Sequence, residues 1–408
     1  MASNTVGSGG QTYDSTDHLQ QVHAQIFIRH GSRTPMNTTP NVESATWDKN
    51  ELFSGAENTC IDYEVKSING GPAPFWTAEA RYRTRILKGG SLPGQLTAKG
   101  MRQLYELGLQ LRKEYIQERG FLSHTYCPSE VYIRSTNIAR TQESARSCIA
   151  GMYQESIPKP PDDPVVIYTD DEATEILYPS NRHCKRLGSH TKWLEKHLDV
   201  IPGLSKDRKT IQQLLKLDNE EDVNFINIRD DIFARMSHSL AVPEVLKPHV
   251  DCIEMRTLEL TRATVMGTTN EDNTEILKMS VGPLVELILQ NMKEAADGKS
   301  GCKFHLYACH DSSIIAILSA FDIFDNQWPP FAADLRFEVY RNTIGQHFVK
   351  ISYVGKVLTM PCLIPLDSLV SKMITIATDK TCHGGLCQDP LYTSGDESQV
   401  NIADGVGV

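Results

Sequence analysis

Apolar and polar residues follow one another in blocks along the chain, and these blocks predict strands that alternate with helices. Short apolar runs of strand length occupy residues 22–29, 130–134, 164–168 and 303–309. After Thr97, a residue that suits a helix N-cap, apolar residues recur every three or four positions, as on one face of a helix. This order predicts an α/β fold with a mostly parallel sheet and helices on both faces.

The last third of the chain predicts one long helix and one hairpin. The helix is expected to start from an N-cap at Ser280 and to run to about Ala296, with Pro283 tolerated in its first turn. Residues 335–341 and 348–353 alternate as in strands, with a turn between them. They predict an antiparallel hairpin at one edge of the sheet.

Breaks in this rhythm divide the chain into a core and a cap. Residues 171–274 are polar, with helical patterns and no convincing strand. The segments that we assign to the α/β core are 21–40, 95–170 and 275–388. Those assigned to an inserted, mainly helical cap are 41–94 and 171–274, and the ends, 1–20 and 389–408, are predicted to be disordered and flexible.

Composition excludes some function classes. The 408 residues carry a formal net charge of −10, which argues against nucleic acid as a partner because phosphate backbones need a basic face. A small phosphate ligand remains compatible, since it responds to the local field of a cleft. No apolar stretch is long enough to predict a transmembrane span. The first residues resemble neither a signal peptide nor an Arg-rich presequence.

The ten cysteines are scattered along the chain, and several lie in apolar runs. We expect free thiols in a reducing compartment without a disulfide framework. The run from Cys382 through His383 to Cys387 leaves two alternatives open, a local disulfide or half of a zinc site. No second ligand pair lies nearby in sequence, so no metal is predicted.

One short stretch carries the most specific chemical signal. Residues 29–35 read Arg-His-Gly-Ser-Arg-Thr-Pro and directly follow the apolar run 24–28. This places His30 between the guanidinium groups of Arg29 and Arg33 at the end of a buried strand. A guanidinium offers a fixed fork of donors that fits phosphate, and an imidazole held against phosphorus can form a covalent intermediate. The stretch predicts phosphoryl transfer to His30.

Two further predicted strands end in residues of the same chemistry. His310 and Asp311 follow the strand at 303–309, and Arg134 ends the strand at 130–134. Each signal is weak alone, because a His-Asp dipeptide or a single arginine is common. Ligands of open α/β sheets bind at the carboxyl edge, so the three strands together predict one anion site there.

The full pattern Arg-His-Gly-x-Arg-x-Pro, with the distant His-Asp pair, resembles the signature of the histidine phosphatases, in their acid-phosphatase branch. The resemblance implies that His30 is the nucleophile and that Asp311 is the general acid and base. It implies a phosphate pocket formed by Arg29, Arg33, Arg134 and His310. Three guanidinium groups and one imidazolium supply the positive field, so neither a metal nor a cofactor is expected.

The resemblance extends to the acid phosphatases that act on lysophosphatidic acid. The matching stretches are 27–33, 88–90, 94–97, 133–138, 177–179 and 328–335. They imply a lysophospholipid or other small phosphomonoester as substrate, monoacylglycerol and inorganic phosphate as products, a monomer, and a mitochondrial location. A cytoplasmic location is the alternative, because no presequence is visible.

An acyl chain needs an apolar surface beside the basic pocket. For an acyl surface the candidates are Trp47, Phe53, Phe75 and Trp76, although for any single one a place in the cap interior is the favoured interpretation. Two rival functions stay open. A phytase-like phosphatase would use extra cations, for which the candidates are Arg81, Arg83, Arg85 and Lys88. A catalytically silent phosphate-binding protein would keep the pocket without the chemistry.

Overall fold

A computed structural model describes residues 19–153, 156, 164–268, 270–358 and 361–389. The segments predicted to be flexible, 1–20 and 389–408, lie outside the described residues except at positions 19, 20 and 389. The side chain of Arg81 also lies outside them. No helix in the described part of the chain is long and apolar enough to cross a membrane.

Within the described residues, nine strands form a single mixed sheet. They are β1 (Gln20–Arg29), β2 (Tyr63–Ser67), β3 (Val131–Ser135), β4 (Val165–Thr169), β5 (Phe304–Cys309), β6 (Asp334–Arg341), β7 (His347–Tyr353), β8 (Lys356–Val357) and β9 (Ile364–Pro365). The strand order is β2-β4-β3-β5-β1-β6-β7-β8, with β9 paired to β7. The part from β2 to β1 is parallel, and β6 to β9 add an antiparallel edge.

Helices cover both faces of the sheet, and others form the cap. They are α1 (Lys49–Leu52), α2 (Thr77–Tyr82), α3 (Ala98–Leu111), α4 (Ala139–Tyr153), α5 (Lys185–Lys196), α6 (Leu204–Leu214), α7 (Phe225–Ser237), α8 (Val250–Met266), α9 (Asn270–Ala296), α10 (Asp311–Ala320), α11 (Leu366–Met373) and α12 (Lys380–Leu386). The predicted α/β class is confirmed.

Alternation along β1 explains the two layers. Ile26 and Ile28 pack with α3 and α4 on one face, and Phe27 packs with α9 and α10 on the other. Period-two burial of this kind is what a strand covered on both sides requires. The cap has an apolar interior of its own, formed by α5 to α8.

The structure differs from the predicted domain boundaries in one segment. Residues 41–94 were assigned wholly to the cap, but they contain β2, which pairs with β4 and extends the core sheet. The strand escapes sequence reasoning because its alternation, Tyr-Glu-Val-Lys-Ser, is short and only partly buried. Residues 171–274 contain α5 to α8 and, where the structure describes them, no strand.

The start predicted for the long helix is wrong. The helix α9 begins at Asn270, so Ser280 and Pro283 lie inside it. A proline has no N–H to donate to the carbonyl four residues earlier, here that of Met279. The ring Nε2 of His383 donates to this carbonyl oxygen at 2.8 Å, which satisfies the freed acceptor from another helix. The continuation of α9 through a proline therefore depends on a tertiary contact.

The expectation that the cysteines are all free is also wrong. Cys184 and Cys387 form a disulfide that joins the start of α5 to the end of α12, across 203 positions. The local pairing of Cys382 with Cys387 does not form, and Cys382 is an exposed free thiol. No local sequence pattern predicts a disulfide between residues so far apart in the chain.

Candidate active site

The two central strands β1 and β5 bring the two histidine motifs together. They are parallel neighbours, with Ile28 beside Ala308 and Arg29 beside Cys309. The residues that follow therefore leave the sheet at one carboxyl edge, and the ring centroids of His30 and His310 lie 5.6 Å apart. This is the edge at which ligands of open α/β sheets bind.

His30 is held in the state that a nucleophile requires. Its ring is buried, and Nδ1 donates to the carbonyl oxygen of Gly31 at 2.9 Å, which leaves the lone pair on Nε2. Burial lowers the pKa of His30 well below its ordinary value, and the charges of Arg33, Arg140 and Arg29 lower it further. The ring therefore stays neutral in mild acid.

Gly31 fixes the catalytic loop against the start of α3. A Cβ atom at this position would lie 2.4 Å from the backbone oxygen of Gly100, so no larger residue fits without a shift of the backbone. Thr97, as predicted, caps α3, and its hydroxyl donates to the Ser32 carbonyl at 3.0 Å. The glycine in the motif is thus required by close approach of two backbones.

Arg29 is buried at the site and contacts Asp311, Pro329 and Phe331. Its Nη2 donates to Asp311 Oδ2 at 2.6 Å, and Nη1 donates to the Pro329 carbonyl at 2.5 Å. The guanidinium stacks on the ring of Phe331, 4.3 Å from its centroid. Burial lowers the pKa of Arg29 to about 10, with smaller contributions of both signs from nearby charges, so the group remains charged.

Arg33 is held by the cap. Its two Nη atoms lie 2.9 and 3.2 Å from the two carboxylate oxygens of Asp230, which belongs to α7. Asp230 also accepts from the backbone N–H of Met36 at 2.7 Å. A bidentate pair of this kind fixes the guanidinium plane. The cap therefore contributes a residue to the site that sequence reasoning missed.

His310 is close to the site, and its surroundings disfavour the imidazolium form that was expected. Its Nε2 lies 3.0 Å from the hydroxyl oxygen of Thr136. Burial lowers the pKa of His310 well below its ordinary value, and the charge of Arg140 is the next cause. A neutral ring donates at most one hydrogen bond, so the positive field comes from the arginines.

Asp311 is anchored as a carboxylate at the start of α10. Oδ2 accepts from Arg29 and, at 3.2 Å, from the indole Nε1 of Trp328, and Oδ1 accepts from the backbone of Ser312 at 2.9 Å. Burial raises the pKa of Asp311, but the charges of Arg29, Arg33 and Arg229 outweigh burial and lower the pKa to about 2. Its side chain is one-fifth exposed and can meet a ligand.

The structure brings Arg140, rather than Arg134, to the histidines. Arg134 Nη2 donates to Glu175 at 2.9 Å and lies 3.4 Å from Asp170, and all three side chains are buried. Arg140, six residues later in α4, is buried and its charge acts on both His30 and His310. The phosphate-binding role predicted for Arg134 is not supported by these contacts and fits Arg140. One signal was present in the sequence, an arginine in the first turn of the helix after a site strand.

An apolar cleft borders the site. Trp76 and Tyr178 stack in its wall with centroids 5.9 Å apart, and Tyr178 also meets the His310 ring edge-on at 6.0 Å. Ser312, next to Asp311, reaches the same cleft. Its other lining residues include Ile138, Leu187, Ile226 and Val265, together with the charged residues Glu79, Glu172 and Arg182.

Of the four aromatic residues suggested for an acyl surface, only Trp76 is among the residues that line this cleft. Trp47 is fully buried and packs on His238, with ring centroids 5.6 Å apart. Phe75 is 80% exposed and Phe53 is half-buried. The candidates cannot be ranked from sequence, because their side-chain directions depend on how the loop folds.

Sequence comparison gives one family and related enzymes. The model of the histidine phosphatase superfamily (branch 2) matches residues 20–354. The chain is 34% identical over 383 residues to lysophosphatidic acid phosphatase type 6 of Homo sapiens, across 91% of this chain and 87% of that protein. It is 29% identical over 279 residues to prostatic acid phosphatase of Mus musculus, across 66% and 71% of the two chains.

Solved structures with a similar fold include bacterial phytases. The apo form of Hafnia alvei phytase matches with a TM-score of 0.59, over 92% of this chain and 100% of that chain, at 14% identity. The phytase from Citrobacter braakii matches with a TM-score of 0.57, over 88% and 98%, also at 14% identity. At such identity the likeness shows the fold alone.

Proposed function

Because this chain belongs to branch 2 of the histidine phosphatase superfamily and is a histidine acid phosphatase, we propose that it hydrolyses lysophosphatidic acid to monoacylglycerol and phosphate. One observation carries the choice of substrate, namely a largely apolar cleft whose wall includes Ser312, the residue after Asp311, and Tyr178, whose ring meets that of His310. A lysophospholipid has a phosphomonoester at one end and an acyl chain at the other. It needs a cationic pocket and an apolar surface side by side.

The first half-reaction transfers the phosphoryl group to His30. The lone pair of Nε2 attacks phosphorus, the N–P bond forms, and the ester P–O bond breaks. Asp311 gives its proton to the departing glycerol oxygen, so that the alcohol leaves neutral. Arg29, Arg33 and Arg140 surround the phosphoryl oxygens and stabilise their charge in the transition state. Phosphohistidine is the proposed intermediate.

The second half-reaction returns the enzyme to its starting state. Water attacks phosphorus from the side that the alcohol has left, Asp311 takes one proton from it, and the N–P bond breaks. Inorganic phosphate departs, and His30 is again neutral with Nδ1 bound to the Gly31 carbonyl. The carboxylate of Asp311 is the natural form for this step, as its low pKa indicates.

The protonation of Asp311 before the first step needs a cause. In the free site the carboxyl has a pKa of about 2, chiefly because the charge of Arg29 outweighs burial. A bound phosphomonoester offers Arg29 a second anion and adds negative charge, and both effects raise the pKa of the acid. A phosphomonoester also keeps one proton below pH of about 6. We expect an acidic optimum, and a rate that still rises above pH 8 would contradict Asp311 as the acid.

The surroundings of Arg83 and Arg85, two of the cations suggested for extra phosphates, favour a lysophospholipid over an inositol polyphosphate. Arg83 pairs with Glu79, which itself lines the cleft, and Arg85 donates to Asn37 and to the Met36 carbonyl. These cations are therefore partly satisfied within the protein. A polyanion would in addition face a carboxylate at the cleft wall.

The decisive experiment compares substrates. Phosphate release is measured with lysophosphatidic acid, inositol hexakisphosphate and para-nitrophenyl phosphate, for the wild type and His30→Ala. We expect the highest kcat/KM on lysophosphatidic acid and no turnover by the variant. A higher kcat/KM on the inositol ester would support the phytase-like alternative. Binding of lysophosphatidic acid without turnover by the wild type would support a silent binding protein.

A second experiment tests the acid. Asp311→Asn should keep more of its rate on para-nitrophenyl phosphate, whose phenolate leaves readily, than on lysophosphatidic acid, whose alkoxide needs a proton. Labelled phosphoprotein should accumulate on the former substrate. Equal losses on both would count against this role. The mitochondrial location and the monomeric state implied by the resemblance stay predictions.

A further inference from the structure

The segment Trp328–Phe331 wraps around the ion pair of Arg29 and Asp311. Its indole N–H donates to Asp311 Oδ2 at 3.2 Å, the Pro329 carbonyl accepts from Arg29, and the Phe331 ring supports the Arg29 guanidinium. Each of these contacts comes from a different residue of one short loop. The position of the carboxylate is therefore fixed by the loop as well as by the helix α10.

The same indole meets the cap through its face. The guanidinium of Arg229, in α7, lies 4.0 Å from the Trp328 ring and 4.0 Å from the Phe233 ring. Its Nη2 pairs with Glu254 of α8 at 2.6 Å. An arginine between two aromatic rings is held by cation–π attraction and keeps its charge. Trp328 thus touches the acid with one edge and a cap cation with its face.

We propose that Trp328 and Arg229 are positioning residues for Asp311: the indole N–H holds the carboxyl in line with the leaving oxygen, and the buried cation of the cap, packed on the same indole, sets the pH at which the acid takes up its proton. This inference rests on the proposed role of Asp311 as the acid. It adds to that role a device for setting when the acid is protonated, built from two elements that sequence reasoning did not connect.

The charges that face Asp311 divide into two groups. Arg29 and Arg33 lie on the phosphate side, where a bound ester compensates them, and Asp230 already neutralises Arg33. His310 precedes the acid, and burial lowers the pKa of its ring, which disfavours the charged form, while the charge of Asp311 acts in the opposite direction. Arg229 lies on the cap side with Glu254 as its partner.

Substrate binding changes the first group far more than the second. Once phosphate occupies the arginines of β1 and its loop, the charge of Arg229 and the indole N–H remain as fixed influences on Asp311. Both favour the carboxylate. They oppose protonation before the first half-reaction and assist proton uptake from water in the second, so their removal should move the pH at which the acid titrates.

Opposite shifts from two neighbouring substitutions test the proposal. The pH dependence of kcat is measured on lysophosphatidic acid for the wild type, Arg229→Met, Arg229→Lys and Glu254→Gln. We call the fall of kcat at high pH the basic limb. We expect Arg229→Met to move this limb to higher pH by about 0.5 to 1 pH unit, because a cation near the acid is lost. Arg229→Lys should restore most of the wild-type limb. Glu254→Gln should move it downward, because Arg229 loses its counter-charge.

Trp328→Phe tests the indole N–H while it keeps an aromatic face for Arg229. We expect a smaller upward shift of the basic limb together with a severalfold lower kcat, because the carboxyl is less well oriented. Unchanged basic limbs in Arg229→Met and Trp328→Phe would overturn the proposal. If Arg229→Met does not fold, the Glu254→Gln limb decides, because Glu254 is one-third exposed and its replacement keeps the arginine.

The Asp311→Asn background separates this proposal from the proposed function. If Asp311 is the acid, Asp311→Asn loses the basic limb, and the cap substitutions produce no further shift in that background. If Asp311→Asn retains the wild-type basic limb, the assignment of the acid fails. A third outcome is that Asp311→Asn loses the basic limb, while the cap substitutions made in the wild-type protein leave its basic limb unchanged. In that case only the present inference fails.

Discussion

The two central strands carry two pairs of buried histidines, and only one pair lies at the site. His30 and His310 follow the carboxyl ends of β1 and β5, and His23 and His305 lie within the same strands. Nε2 of His23 is 2.9 Å from Nδ1 of His305, with ring centroids 4.9 Å apart. Both pairs consist of buried histidines on the same two parallel strands or at their ends. Their surroundings must therefore explain why only one pair can serve in catalysis.

Burial favours the neutral form in both pairs, but only the first pair lies among cations. Burial, followed by the charges of arginines, lowers the pKa of His30 and of His310. For His305 burial lowers the pKa to about 4, and the rings around it are those of His23, Tyr132 and Tyr307 rather than guanidinium groups. A lowered pKa thus does not identify an active site by itself. The guanidinium groups make the difference between the two pairs, because they can bind a phosphate group next to the histidine.

Exchange of one histidine in each pair for glutamine should give the largest contrast. We expect His30→Gln to lower kcat by at least roughly 10³-fold, because the amide cannot accept the phosphoryl group. His23→Gln should leave kcat close to that of the wild type but lower the free energy of unfolding by about 1–3 kcal/mol, because a buried hydrogen bond is disturbed. Steady-state kinetics and urea denaturation measure the two effects.

Each variant is the control for the other. His23 lies in β1, His30 directly follows it, and both variants make the same chemical change, so a general effect of altering this segment would appear in both. Comparable losses of kcat in folded His23→Gln and His30→Gln would break the comparison between the pairs. Folding is checked by circular dichroism before either kinetic result is used.

The next contrast concerns two arginines that are six residues apart. Arg140→Met should lower kcat/KM by about 10²–10³-fold, since it removes a cation from the phosphate pocket. Arg134→Met should instead cost about 3–5 kcal/mol of stability, because Glu175 would stay buried without its ion-pair partner. Substrate kinetics and denaturation curves distinguish the two.

The opposite distribution of effects would show that Arg134, and not Arg140, binds the phosphate group. A loss of kcat/KM in a stable Arg134→Met protein, with Arg140→Met close to wild type, is that outcome. Inorganic phosphate offers an independent readout, because a ligand of the native state raises the unfolding midpoint. The rise should be smaller in Arg140→Met than in the wild type.

Local chemistry in the sequence explains what could be predicted of the site. His30 is adjacent to Arg29 in one motif, and Asp311 is adjacent to His310 in another, so each pair could be found from neighbouring residues. Strand neighbours in a parallel sheet then bring the motifs to one edge. The choice between Arg134 and Arg140 could not be made, because it depends on the direction in which each side chain leaves its element.

Contacts that bridge distant segments lay beyond sequence reasoning for a different reason. The salt bridge of Arg33 to Asp230 and the hydrogen bond of Asp311 to Trp328 depend on how the cap and a late loop fold over the edge. Neither partner has a spacing or composition that marks it. Such residues become visible only when burial and geometry are known.

The smallest expected effect is the pH dependence of stability that comes from the second pair. The folded pKa of His305, about 4, lies below its ordinary value of 6.5, so the unfolded chain binds more protons between these values. The free energy of unfolding should therefore fall as the pH drops from 6.5 toward 4, by at most about 1.4 kcal/mol per pH unit for each such histidine. Above pH 6.5 this contribution should be constant.

His305→Gln isolates this contribution, because glutamine does not titrate. We expect the variant to be less stable than the wild type at pH 7, and to lose less stability between pH 6.5 and 4.5, so that the two curves converge in acid. Urea denaturation at half-unit pH steps measures the difference, which cancels the many groups common to both proteins. Parallel curves would mean that His305 is protonated alike in the folded and unfolded chains. Burial would then not keep this ring neutral, and the second pair could no longer serve as the example of a neutral buried histidine without a catalytic role.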